Sequence, residues 1–216
     1  MRINPKIFIA LGLLLVIGYF VQELVLGHDQ YATGILKART EKNNSFRRAK
    51  DSPLNAEQRD HFDSLRYFVP DKAFRVTAKL EHFATPDTVR MQLTDGKADK
   101  YLRWGKASFE LNQQPQQLVL FLKVDEADDD QPELFVPFTD KTNGFDTYGG
   151  GRYLDVALPA ATDKEVVLDF NAAYNPFCAY NNEYACPVPP ADNRLAVPVP
   201  AGEKSFPEID HTGHSH

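Results

Sequence analysis

Two cysteines, two methionines and one tryptophan in 216 residues leave little soft or redox chemistry in this chain. No GxSxG elbow, HExxH pair, Walker sequence or locally framed Cys–His pair occurs, which argues against the familiar hydrolases, zincins and NTPases. An excess of positive charge is also missing. The net charge is −6, so a nucleic-acid partner has no electrostatic footprint. His28, His61 and His82 stand singly and carry no ligand spacing, and neither a metal site nor a cofactor is expected. His211, His214 and His216 read as a polar tail, residues 207–216, with incidental affinity for divalent transition metals.

Charge is absent from residues 7–21 as well, IFIALGLLLVIGYFV. Such a helix spans about 22 Å, and its extension to Leu26 approaches the roughly 30 Å of a hydrocarbon core. A cleaved signal peptide, an uncleaved anchor and a buried core helix compete. An apolar run directly after the terminus disfavours the core helix, and Ala32-Thr33-Gly34 lies too far downstream for a good cleavage site. The expectation is a signal anchor in residues 1–30, inserted through residues 7–26. Arg2 and Lys6 stay inside and the remainder is exported to the cell envelope.

Residues 31–62 read as a helical lead-in. A basic helix runs to Lys50 and breaks at Asp51-Ser52-Pro53, and Asn55 with Gln58 then forms a capping box over a short second helix. From residue 63 to 206 the period changes to two. Phe74–Leu80, Thr88–Leu93, Tyr101–Trp104, Ala107–Leu111, Leu118–Val124, Leu134–Phe138 and Val166–Phe170 alternate or run apolar between turn residues. Strands this short, with no room for crossover helices, predict a mainly β fold, an antiparallel β-sandwich or small barrel with short N-terminal helices. The acidic run Asp125–Asp130 lacks the glycine and distal glutamate of an EF-hand loop and reads as a solvated hairpin tip.

The last third is the most distinctive stretch: Thr147-Tyr148-Gly149-Gly150-Gly151-Arg152-Tyr153-Leu154, Asp169-Phe170-Asn171 with Tyr174-Asn175-Pro176, Cys178, Cys186-Pro187 and Asn193-Arg194-Leu195. Together with Phe135-Val136-Pro137-Phe138 and Gly202-Glu203-Lys204, this pattern resembles the bacterial and archaeal family DUF1684, from about Asp51 to Lys204. The resemblance implies a relative and no catalytic residue, because none is established for the family.

Read from the residues alone, three successive glycines free the backbone for positive φ and an amide-lined concavity, with the Arg152 fork beside it. An anion site and an internal ion pair, for instance with Asp169, weigh equally there. The candidate ligand-binding set is Tyr148, Gly149, Gly150, Gly151, Arg152, Tyr153, Asp169, Asn171, Tyr174, Asn175, Asn193 and Arg194. The asparagines have a plainer alternative as loop caps. Cys178 and Cys186 enclose seven residues and are expected to form a disulfide in an exported domain, since CxxC spacing and further metal ligands are missing. The leading expectation is therefore a membrane-anchored, extracytoplasmic β domain that binds a small polar or anionic ligand or an envelope component. The alternatives are an enzyme using Asp169 or Glu203 with Arg152, and a structural envelope protein.

Overall fold

The computed structural model describes residues 5–85, 87–124 and 132–206, with side chains at 13–16, 18 and from 30 onward. The acidic run and the histidine tail lie outside the described residues. The chain divides into two units, residues 1–41 and 42–216. In the first unit, helix α1 (Pro5–Arg48) begins the fold and carries a surface Lys37–Glu41 pair at i,i+4. Among the described residues no helix is long and apolar enough to cross a membrane. Most side chains of the run behind the anchor expectation, residues 7–26, lie outside the described set.

The second unit begins with the last residues of α1. Phe46 is buried there against Leu54, Phe62, Leu65 and Tyr180. Helix α2 (Ala56–Asp60) carries the expected capping box. The Asn55 side chain accepts from the Gln58 amide at 2.8 Å, and the Gln58 side chain accepts from the Asn55 amide at 2.9 Å.

Seven strands follow: β1 (Arg75–His82), β2 (Thr88–Gln92), β3 (Ala98–Leu111), β4 (Gln114–Lys123), β5 (Glu133–Phe138), β6 (Arg152–Ala157) and β7 (Glu165–Asp169). They form a single antiparallel sheet in the order β6-β5-β4-β3-β1-β7, with β2 beside β3. The sheet curls into a half-barrel, and its edge strands β6 and β7 border a common groove. One curled sheet thus takes the place of the two layers of a sandwich.

Gly105, which separates the expected strands Tyr101–Trp104 and Ala107–Leu111, lies inside β3 instead. A bulge at Trp104 bends the strand there, and a Cβ on Gly105 would meet the Glu81 carbonyl oxygen at 3.0 Å. Asn112 and Gln113, with φ of 51° and 60°, make the two-residue turn that joins β3 to β4.

Alternation assigns the two faces different tasks. Ala78, Leu80, Phe109, Leu120, Val136 and Leu168 point to the concave side and build the main core. Each fully buried Leu or Val contributes about 1.5–3 kcal/mol. The concave side is filled by the C-terminal segment, in which Leu195, Val197, Val199 and Ala201 are buried and the residues between them are exposed. That is strand periodicity without a ladder, because Pro198 and Pro200 have no N–H to donate. On the convex face, Met91, Tyr101, Val119 and Phe121 form a second, aromatic-rich cluster.

Candidate functional site

Consecutive strand residues face opposite sides of a sheet, so the Gly149–Tyr153 stretch is split where β6 begins. Arg152 points into the concave core and is fully buried. Its Nη2 donates to Asp140 Oδ2 at 2.8 Å and to the Val199 carbonyl at 2.9 Å. Its Nη1 donates to the Ala201 carbonyl and, at 3.3 Å, to that of Glu203. Arg152 therefore clamps the C-terminal segment, and its ion-pair partner is Asp140 rather than Asp169. Asp140 Oδ1 completes the node by accepting from the amides of Thr142 at 2.7 Å and Val199 at 3.1 Å.

Of the three glycines, Gly151 alone has positive φ, +95°. Its N–H donates to the Tyr148 carbonyl at 3.2 Å, and a Cβ there would lie 2.7 Å from the Phe138 oxygen. These glycines fit a close turn and not a run of amides aimed at an anion.

The asparagines act as backbone surrogates. Asn193 accepts from the Val119 amide at 2.7 Å and donates to the carbonyls of Val119 and Pro137 at 2.9 and 2.7 Å. Asn171 brackets the backbone of Asp71 in the same way, at 2.9 and 2.7 Å. Asn175 donates to Glu203 Oε1 at 3.0 Å and to the Lys204 carbonyl at 2.8 Å. Asp169 caps the Asn171 amide at 3.0 Å and lies 3.7 Å from Arg75. Arg194 and Gly149 border a separate surface hollow with Lys141 and Asn143. The twelve candidate residues thus occupy several places: Gly149 and Arg194 share that hollow, and Tyr153 and Tyr174 meet in another cavity.

That cavity, of 470 Å³, lies on the convex face. Its floor comes from alternate residues of neighbouring strands: Tyr101 of β3, Lys123 of β4, Glu133 and Phe135 of β5, Tyr153 and Asp155 of β6. Register places them together, since Tyr101 pairs with Lys123 and Phe135 with Asp155. The Tyr174–Pro187 arch covers it with Pro176, Phe177, Tyr184, Ala185, Cys186 and Pro187. The arch is tied down at both ends. Tyr153 and Tyr174 exchange backbone hydrogen bonds of 2.9 and 3.0 Å, and the Val188 N–H donates to the Gln92 carbonyl at 2.8 Å.

The rings form one connected wall. Tyr101 and Phe135 stack at 5.5 Å and 27°, Phe135 meets Tyr153 at 4.7 Å and 73°, and Tyr153 meets Tyr174 at 5.8 Å and 90°. The Tyr174 hydroxyl donates to Asp155 Oδ2 at 2.6 Å, and that of Tyr153 donates to the Pro187 carbonyl. Burial first, then the Asp155 carboxylate, pushes Tyr174 far above the ordinary phenol range, and burial does the same to Tyr153.

Cys178 and Cys186 are both free and buried, which corrects the expected disulfide. They meet as hydrogen-bonded thiols behind the arch, where the Cys178 amide donates to Cys186 Sγ at 3.1 Å. The thiol contact with Cys186, followed by burial, raises Cys178, while the same contact lowers Cys186. Among the described residues no group of three or more His, Cys, Asp or Glu side chains is placed to hold a metal ion.

Glu203 is nearly fully buried and serves the fold. Lys42 Nζ donates to its Oε2 at 2.8 Å, and the Tyr180 hydroxyl donates to Oε1. Neither Glu203 nor Asp169 lines the cavity. Glu203→Gln should lower stability in urea by about 2 kcal/mol, because a partly buried ammonium loses its counter-charge. Adding Lys42→Met should recover part of that loss, and a double variant no more stable than Glu203→Gln would refute the pairing.

Sequence reasoning missed Tyr101, Lys123, Glu133, Phe135 and Asp155. The signal for Tyr101 and Phe135 was an aromatic residue on the strand face that alternation assigns to solvent.

The geometry belongs to a chain with known relatives. The model of the family described as "Protein of unknown function (DUF1684)" matches residues 60–204, and the chain belongs to that family. A solution NMR structure of an uncharacterized protein from Haloarcula marismortui is similar, at 38% identity and a TM-score of 0.65. The match covers 82% of this chain and 96% of that one. No curated protein matches.

Proposed function

We propose that this member of the DUF1684 family binds a small polar ligand in the aromatic cavity between the convex face of its sheet and the Tyr174–Pro187 arch. One observation carries the reading: rings and carboxylates from three different strands, with Lys123 from a fourth, converge on a 470 Å³ space beneath a pinned loop. A cavity of that volume falls in the usual range for small-molecule sites, which combine apolar walls with a few placed polar groups. Function on a β scaffold concentrates where loops meet a rigid sheet. We place the domain outside the cytoplasm, held to the membrane through residues 7–26, on the strength of the uncharged run Ile7–Val21.

The test is amide chemical-shift mapping of the full chain against a panel of small amines, amino acids, sugars and carboxylates. Shifts should cluster at Tyr101, Phe135, Tyr153 and Ala185. Ala185 is exposed and lines the cavity, so Ala185→Trp fills the space without entering the core. That variant should weaken binding at least tenfold with an unchanged thermal midpoint. Equal binding by Ala185→Trp, or shifts elsewhere on the molecule, would refute the site.

A further inference from the structure

The lining of the cavity selects a charge. Its ionisable side chains other than tyrosine and the Cys186 thiol are Lys123, Glu133 and Asp155, one positive and two negative, for a net −1. Two of the four tyrosine hydroxyls on the lining are engaged with the protein, Tyr174 with Asp155 and Tyr153 with the Pro187 carbonyl. Two carboxylates and several aromatic rings thus stand against the single ammonium of Lys123 on this lining. Ring faces carry the negative end of the aromatic quadrupole and attract cations. The perpendicular pairs at 73° and 90° orient the rings of the lining in more than one direction.

The protein already uses one of these rings in this manner. Lys42 Nζ sits 4.9 Å from the centroid of Tyr174. Its charge is balanced by Glu203 at 2.8 Å, so Lys42 does not offset the carboxylates of the cavity.

We infer that the ligand is a small organic cation, an alkylated ammonium whose head contacts the faces of Tyr101, Phe135, Tyr153 and Tyr174 while Asp155 and Glu133 balance its charge. This rests on the reading of the cavity as the ligand site and replaces an anionic guest with a cationic one. A carboxylate or phosphate entering the same space would meet one ammonium, Lys123, against two carboxylates and the negative ring faces.

Choline and its neutral isostere 3,3-dimethylbutan-1-ol separate charge from shape, and titration calorimetry on the full chain reads both. Choline should bind at least tenfold more tightly than the isostere. Asp155→Asn, which retains an acceptor for Tyr174, should bring that ratio down toward one. Acetate should not bind in the cavity. Equal affinity for choline and the isostere, preferential binding of acetate, or no binding of choline overturns the inference. Where choline fails this test and Ala185→Trp abolishes binding of the probe that does bind, the cavity remains the site and only the charge assignment falls. If Ala185→Trp changes nothing, the site itself falls. Competition distinguishes the source of the cation: displacement of choline by phosphatidylcholine vesicles, and not by phosphatidylglycerol vesicles, assigns a lipid headgroup, whereas no displacement by either assigns a soluble amine.

Discussion

Replacing Arg152 by alanine is expected to destabilise the β domain by about 3–5 kcal/mol, the usual cost of removing one partner from a buried ion pair. At 2–4 °C per kcal/mol for a domain of this size, the thermal midpoint should fall by roughly 10 °C. The cause is specific. The guanidinium is fully buried and serves Asp140 and three carbonyls of a segment whose strand-like pairing is limited to isolated bridges. Without it, the carbonyls of Val199, Ala201 and Glu203 lose a donor, and Asp140 is left charged in the core.

Arg152→Lys should fare little better, since one ammonium cannot reproduce a planar fork that reaches four acceptors. Asp140→Asn should also destabilise. The double variant Arg152→Ala with Asp140→Asn should cost less than the sum of the two, because each single change already disables the other residue. Urea denaturation of the four proteins measures the coupling. If Arg152→Ala instead kept its thermal midpoint and lost only ligand affinity, the buried clamp would be wrong and the arginine would belong to a binding site after all.

The strands were legible where both requirements of a strand coincide, alternating polarity and flanking turn residues. β1, β2, β4, β5 and β7 come within a few residues of the positions their patterns predict. β3 was expected as two strands, because a glycine signals a turn unless a neighbouring backbone needs its missing Cβ. At Gly105 the Glu81 carbonyl supplies that need, and a single sequence holds no trace of a residue twenty-four positions away. β6 was hidden for a different reason. Its first residues, Arg152 and Tyr153, look like the end of a glycine-rich loop, and a charged residue on the core side of a strand breaks the binary pattern.

The same strand decided how much of the site could be read. Adjacent letters suggest adjacent function, but pleating places Arg152 and Tyr153 on opposite faces of β6. The part of the motif-rich tail that contains Arg152 and Asn193 holds the fold together. Tyr153 and Tyr174 face the cavity, and their partners there come from β3, β4, β5 and, through Asp155, β6. Those partners were individually ordinary: Tyr101, Phe135 and Glu133 acquire meaning only through the register that lines them up. Long-range pairing of this kind is set by tertiary structure, which local propensity does not encode.

Alkaline pH should unfold the domain abruptly through its tyrosines. Tyr148, Tyr153, Tyr174 and Tyr180 are all held well above the ordinary phenol value of 10.0, each chiefly by burial. Asp155 adds to the shift at Tyr174, and Glu203 at Tyr180. In the unfolded chain these phenols ionise near pH 10, whereas in the folded state they keep their protons. Above that pH the native state binds more protons than the unfolded state, so stability falls as pH rises, while below it these groups contribute no pH dependence.

Each tyrosine contributes a slope of about 1.4 kcal/mol per pH unit once its unfolded form is ionised, and four acting together approach about 5 kcal/mol per unit. A domain with a total stability of about 5–15 kcal/mol cannot withstand that for more than one to three units. Absorbance at 295 nm and far-ultraviolet circular dichroism, followed together, report the outcome. The other five of the nine tyrosines lie outside this group. A late, cooperative rise in tyrosinate should coincide with loss of the β signal, and Tyr180→Phe should flatten the pH dependence by one proton. A smooth titration of all nine near pH 10 with an intact β signal would mean that these hydroxyls reach water in the folded state, and the packing of the arch against the sheet would have to be redrawn.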